Sequence, residues 1–298
     1  MSGATRPDGD LVLADAAVQA LHDELAAYPK PGLVSPVDSG SHDDMDHALM
    51  ARSAEALREP FVALASAGRR GLGFDDALKP LGIAAERRML AATGGINTHR
   101  GAIFCLGLVV AALARTEEQA PQPSAQAVRA TLRTTWGDAL TAHAAAGPAS
   151  DSHGGKVRRT TGRDGARHEA AAGFPGIFEV ALPAYRGALA RGLDLNAARV
   201  HTLFALMATV DDTTVLYRGG IAGDAFVRAT ARRFLADGGC HRAGWQAAAE
   251  AIHRHFVERR LSAGGCADLL AATLLVAARC RREFAPGSRN TMGSAGIG

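Results

Sequence analysis

Aromatic residues are scarce in this chain, at 5% of 298 positions, and no stretch alternates apolar with polar residues long enough to mark a strand. Strands draw on aromatic and β-branched side chains, so the scarcity excludes a sheet-based core. Cysteine is sparse as well. Cys105, Cys240, Cys266 and Cys280 lie far apart, which gives no disulfide framework and none of the paired spacings of cysteine-rich zinc sites. Long apolar runs are missing: the most apolar segment, residues 103–114, is about half of what a bilayer span needs and reads as a buried helix, so no membrane partner is expected. The opening residues MSGATRPDGD hold no apolar stretch, so a cytoplasmic protein without a secretory signal is expected. The phosphate-binding pattern GxxxxGK[ST] is absent too. A net charge of +3 is too small to argue for nucleic acid.

What is present is a helix-forming, globular composition. Hydrophobic residues make up 47% and charged residues 21%, enough apolar content for a substantial core. Leu11, Ala14, Val18, Leu21 and Leu25 step by three and four, with Asp10 placed to cap that helix and Pro29 to stop it. The same period recurs from Met45 to Leu57, after Pro60, and from Pro80. It returns over 98–115, which is apolar all round and so central, and after Ser124. Further helices are expected at 167–191, 195–210, 221–237, 242–259 and 266–284. The prediction is an all-α array of about ten helices over residues 1–284, one catalytic domain, with a disordered tail at 285–298.

Polar, glycine-rich connections interrupt this pattern at 29–46, 93–101, 147–169 and 211–220, with a shorter one at 262–268. Long loops in a compact helical protein are uncommon and often functional. The first carries Lys30, Gly32, Asp38, His42, Asp43, Asp44 and Asp46. One or two carboxylates suffice to cap a helix, so the excess points to a hard cation, most simply magnesium with a polyphosphate. In the second, Gly94, Gly95, Asn97, Thr98, His99 and Arg100 open the central helix; they serve either as an anion site or as an ordinary cap. The third gathers Lys156, Arg158, Arg159, Arg163 and Arg167 among glycines that include Gly165, suited to a phosphorylated ligand or to a solvated basic loop. Glu169 follows on an Ala-rich helix. In the fourth, Asp211 and Asp212 stand at the negative end of the preceding helix, a conflict that requires a cation or an arginine such as Arg218. Asp268 opens the last helix.

These segments together resemble the triphosphoribosyl-dephospho-CoA synthase family. The resemblance rests on PKPGLV with GSHDDMD, GGINTHRGAIFCLGL, GRDGARHEAAAGFP with ALP, DDTTVLYRGG and LSAGGCADLLAATLL, spanning residues 21–276. Ser35 and Asp38, with the GSH at residues 40–42, are similar to the malonate decarboxylase branch rather than the citrate lyase branch. Where the citrate lyase members carry Asp-Thr-Asn, this chain has Asp212, Thr213 and Thr214, with no side-chain amide at 214.

The resemblance implies a transferase that joins ATP to 3′-dephospho-CoA with release of adenine, magnesium accompanying the ATP. The product is the precursor of the decarboxylase prosthetic group, passed to a second transferase acting on an acyl-carrier subunit. The same resemblance leaves open whether the chain works alone or as a homo-oligomer. Departure of adenine builds oxocarbenium character at C1′ of the ribose, which a carboxylate stabilises. The attacking hydroxyl needs a base and the adenine an acid. On that basis Asp44 and Asp212 are expected at a metal or at the ribosyl cation, with Asp43, Asp46 and Asp211 in support. Lys30, Arg100, Arg167 and Arg218 are expected on phosphates, and Gly32, Asn97, Gly165 and Asp268 elsewhere along the substrate. His42, His99 and Glu169 are the unranked candidates for proton transfer. A magnesium-dependent N-glycosidic hydrolase and a non-enzymatic helical assembly factor for the decarboxylase are the alternatives. The active site is expected where five helix ends converge, carboxylates of 38–46 and 211–212 facing cations of 156–167.

Overall fold

The computed structural model describes residues 7–147, 153–163 and 165–281. Thirteen α-helices run through them: α1 (Pro7–Leu25), α2 (His47–Ala56), α3 (Arg58–Arg69), α4 (Lys79–Ala92), α5 (Arg100–Glu117), α6 (Ala125–Ala146), α7 (His153–Thr161), α8 (Ala166–Ala171), α9 (Leu182–Ala190), α10 (Leu195–Thr209), α11 (Thr213–Ala236), α12 (Trp245–Glu258) and α13 (Gly264–Arg279). Two π-helical turns, Phe74–Leu78 and Gly176–Ala181, lead into α4 and α9. Among the described residues there is no strand, and no helix is long and apolar enough to cross a membrane. The tail expected at 285–298 lies outside the described residues.

The apolar α5 is the hub. Helices α1, α3, α4, α6, α8 and α13 all pack against it, and residues 105–114 are buried without a break. Small residues set the spacing. A Cβ at Gly68 would overlap the backbone of Ala111, so α3 crosses α5 at a distance only glycine permits. Trp136 of α6 is 2% exposed and its indole N–H donates to the Leu72 carbonyl at 2.8 Å, which satisfies the one polar atom such a side chain brings into a core. Ser124 caps α6 by accepting from the Ala127 N–H, as its position before the periodic run predicts.

Several expected boundaries move. α1 starts at Pro7, so Asp10 is not its cap; it is buried inside the first turns and ion-paired to Arg69 of α3 at 2.8 Å. The polar stretch 147–169 holds α7, and the connection expected at 211–220 is largely the first turns of α11, kinked at Gly220 (φ 60°, ψ −161°). The single helix expected over 167–191 is broken. Proline disfavours helical backbone in the residue before it, and Phe174, preceding Pro175, takes φ 51°, so α8 stops and the chain restarts through the π-helical turn.

Candidate active site

A cavity of about 550 Å³ opens against the N-terminal half of α5. Its walls come from α5, α4 with the preceding π-helical turn, the end of α6, the start of α8, residues 210–214 and the first turn of α13. Asn97, Arg100, Gly165, Arg167, Glu169, Asp211 and Asp268 of the sequence-predicted set line it.

Each is held by local chemistry. Asn97 Oδ1 accepts from the Arg100 N–H at the first residue of α5 at 3.2 Å, while the Arg100 Nε donates to Glu86 Oε2 at 3.0 Å. Arg167 donates to the carbonyls of His143 (3.3 Å) and Gly147, cations being welcome at the negative end of α6. Glu169 Oε2 accepts from the Gly176 N–H at 2.9 Å, and burial raises its carboxyl above the ordinary glutamate range. Asp268 reaches across from α13 to the start of α5, where the Ala102 N–H bonds to it and a Cβ at Gly101 would overlap its Oδ2. Burial first, then the charges of Asp212 and Glu24, push the Asp268 carboxyl well above the usual carboxylate range. The cavity therefore holds two carboxyl groups biased toward keeping a proton, with arginines at the rim.

Asp212 stands behind this wall rather than on it. It is 3% exposed, and caps α11 by accepting from the N–H groups of Thr214 (2.8 Å) and Val215 (3.2 Å). Its other oxygen accepts from the Cys266 N–H of α13 at 2.8 Å. One carboxylate thus serves two helix N-termini, and burial still raises its pKa against those bonds. The conflict read at 211–212 resolves with a different arginine from the one expected. Arg228 binds the carbonyls of Thr209 and Val210 at the end of α10, each at 2.9 Å, and also pairs with Asp211 and with the buried Asp224. Arg163 joins the same network through Asp211 (3.1 Å) and Asp224 (2.7 Å).

The acidic loop forms a second, smaller depression of about 340 Å³, lined by Ser39, His42, Asp43, Asp44, Met45, Asp46, Leu49 and Arg52. Its carboxylates go separate ways. Asp46 caps α2 through the Leu49 N–H at 2.7 Å, Asp43 meets Arg260 at 3.1 Å, and Asp44 lies 3.8 Å from His42 Nδ1. Arg218 donates to the carbonyls of Ser41 (2.9 Å) and Arg260 (3.2 Å) and contacts His42 Nδ1 at 3.1 Å. Guanidinium only donates, so His42 Nδ1 is an acceptor and Nε2–H donates to Ser262 Oγ at 3.0 Å. Burial and the Arg218 charge push His42 down to about 4. A resident hard cation needs several convergent oxygens. Among the described residues no three His, Cys, Asp or Glu side chains converge in that way, so these carboxylates form no preassembled cage, whereas a cation carried by phosphates needs only one or two of them.

Three more predicted residues lie in the interior. Lys30, 1% exposed, donates to Glu24 Oε1 at 2.6 Å and to the Glu24 carbonyl at 2.8 Å; burial lowers its pKa, which the Glu24 charge opposes. His99, 4% exposed, meets Ser53 Oγ through Nδ1 at 2.8 Å, and burial with the Lys30 charge pushes it down to about 4. Gly32, at φ 67°, turns the chain against the Leu261 carbonyl. None of the three lines the cavity.

Sequence reasoning missed cavity residues Glu86, Phe104 and His143, which sit inside regular periodic segments, and Phe74 and Lys79, which precede the helix expected from Pro80, with no local signal to mark them. It also missed Asp224 and Arg228, whose i, i+4 spacing on α11 is a detectable ion-pair pattern. His253, joined to Asp38 at 3.1 Å, has no counterpart signal.

The family model for ATP:dephospho-CoA triphosphoribosyl transferase (CitG) matches residues 11–285. A "2-(5''-triphosphoribosyl)-3'-dephosphocoenzyme-A synthase" of Klebsiella pneumoniae is 40% identical over 89% of this chain and 93% of its own. Proteins described as "Probable 2-(5''-triphosphoribosyl)-3'-dephosphocoenzyme-A synthase" are 42% identical in Azotobacter vinelandii, over 88% of this chain and 89% of that one, and 38% identical in Acinetobacter calcoaceticus, over 86% and 87%. No solved structure matches this chain. With carboxyl groups and arginines converging in one cavity and the match running through nearly all of the sequence, this chain belongs to the ATP:dephospho-CoA triphosphoribosyl transferase family.

Proposed function

We propose that this protein transfers the triphosphoribosyl group of ATP to the ribose 2′-hydroxyl of 3′-dephospho-CoA. The C1′–N9 bond of ATP breaks, a C1′–O2′ bond forms, and the hydroxyl proton leaves with adenine by way of the enzyme. The observation that carries the reading is the meeting of Glu169 and Asp268 with Arg100 and Arg167 in one cavity. An oxocarbenium-like centre needs negative charge beside C1′ together with an acid and a base. In this reading Asp268, whose pKa burial raises well above the usual carboxylate range, holds the proton destined for adenine, and Glu169 faces C1′ and takes the hydroxyl proton. Arg100 and Arg167, with Lys79 at the rim, hold the triphosphate and fix C1′ in line. Magnesium enters as part of the ATP substrate. Asp212 acts through position, anchoring α11 and α13 behind the carboxyl pair, and Asp211 holds Arg163 and Arg228 at the cavity wall.

The malonate decarboxylase acyl-carrier subunit as final destination rests on Ser35 and the GSH at 40–42, and a cytoplasmic site of action on the substrates themselves. Incubation with ATP and dephospho-CoA tests the reaction, with adenine followed by chromatography and the product by mass spectrometry. Adenine release that requires both substrates is expected. Release from ATP with water alone would make the protein a hydrolase instead.

A further inference from the structure

The cavity has a second face that the transfer chemistry leaves unexplained. Residues 100, 104 and 107 of α5 form one stripe along the cavity and 101, 105 and 108 the next, as a period of about 3.6 residues dictates. The second stripe meets the carboxyl groups: Asp268 packs on Gly101, and Cys105 lies within the fields of both Asp268 and Glu169. The first stripe meets rings. Phe104 lies 6.2 Å from His143, and His143 lies edge-on to Phe74 at 5.1 Å. Leu78 and Ile83 close that end with apolar surface. In a chain with so few aromatic residues, three rings gather at one end of one cavity and give it an aromatic, apolar surface.

Resting on the proposed transfer, we propose that Phe74, Phe104 and His143 form the subsite for the adenine that departs from ATP. Phe104 and Cys105 are consecutive on α5 and stand at one height to within about 1.5 Å. A purine against Phe104 therefore directs its glycosidic bond across to the carboxyl stripe, where C1′ must lie. Burial and the charges of Arg167 and Lys79 keep the His143 ring toward its neutral form, with one N–H donor and one acceptor nitrogen, a match for the mixed donor and acceptor edge of adenine. Those cations hold the triphosphate beside this end, while desolvating an anion between Phe74, Leu78 and Ile83 is costly, so the apolar walls themselves are left to the base.

The test is calorimetric titration of the resting protein with free adenine and, separately, with inorganic tripolyphosphate, alongside turnover kinetics. Phe104→Leu keeps the volume apolar and removes the ring, and His143→Leu is the second variant, at a half-buried site; circular dichroism checks that both fold. Loss of one base–aromatic stack is expected to weaken adenine binding and to raise the KM for ATP by roughly tenfold. Tripolyphosphate binding and the KM for dephospho-CoA are expected to stay near wild type. Unchanged adenine affinity in both folded variants overturns the subsite, as does a loss that falls on tripolyphosphate or on dephospho-CoA. Because adenine binding is read without turnover, failure of the transfer reaction in the wild-type protein is a separate result.

Discussion

Two polar regions of this protein look alike in the sequence and differ in the fold. The acidic loop at 38–46 carries the denser cluster of chemistry-bearing residues, yet its side chains turn to different partners: Asp46 to a helix start, Asp43 to Arg260, His42 to Arg218 and Ser262. The cavity beside α5 draws one carboxyl from α8 and another from α13, some 100 residues apart, and points both at the same space. Density along the chain marks where polar groups are needed for folding or for function. Convergence in space, with desolvation that lifts a carboxyl pKa, distinguishes the second need from the first.

The largest expected effect tests that contrast directly. On the proposed roles, Glu169→Gln lowers adenine release by about 10²–10⁴-fold, the usual worth of a positioned acid or base, while thermal stability stays close to wild type. Asp44→Asn, on the exposed side of the acidic loop, leaves turnover near wild type. The reverse pattern in coupled adenine-release assays would move the chemistry to the loop.

The Glu24–Lys30 pair comes next. Removing one partner of a buried pair costs about 3–5 kcal/mol because the other charge is left unpaired, so Lys30→Met is expected to unfold at much lower urea concentration. The double variant Glu24→Gln with Lys30→Met recovers most of the loss. Its KM for ATP stays unchanged if Lys30 holds α1 to the following loop, and rises if Lys30 reaches phosphate.

Asp212→Ala removes the cap of α11 and a bond to α13 together, for an expected loss of about 2–3 kcal/mol read from denaturant midpoints. Asp212→Asn keeps one acceptor oxygen and is expected to lose less.

The helices were legible because their periods are local. Leu11 to Leu25, the apolar run of α5 and the Ser124 cap all follow from spacing over a few residues. Cavity residues were legible where they sit at helix starts near glycine, as Asn97, Arg100, Glu169 and Asp268 do. What stayed hidden depends on which helix lies opposite. Phe104 and His143 occupy ordinary positions on α5 and α6 and gain meaning only by facing each other. Lys30 reads as a free cation beside two prolines, and nothing near it in the sequence announces that Glu24, one helical end earlier, folds back over it. Asp211 shows the same limit: the need for a compensating cation was visible, but Arg218 is nearer in sequence while Arg163 and Arg228, both further away along the chain, are the ones that reach it.

The finest discriminator between the regions is the response to acid. His42 and His99 each titrate near 6.5 in an unfolded chain and near 4 in the fold, because burial opposes their charged forms. Between those values the unfolded state binds more protons, so stability falls as pH drops from about 6.5 toward about 4, with no further loss from these groups below that. His42→Gln and His99→Gln are each expected to flatten this slope in thermal melts taken across the range. Glutamine at 42 still offers an oxygen to Arg218 and an N–H to Ser262, so the loop stays braced at neutral pH. If adenine release then survives in His42→Gln while the acid slope flattens, His42 is a brace for the turn at residues 260–262. If release collapses while the slope is retained, the acidic loop takes part in the chemistry and the division between the two regions fails.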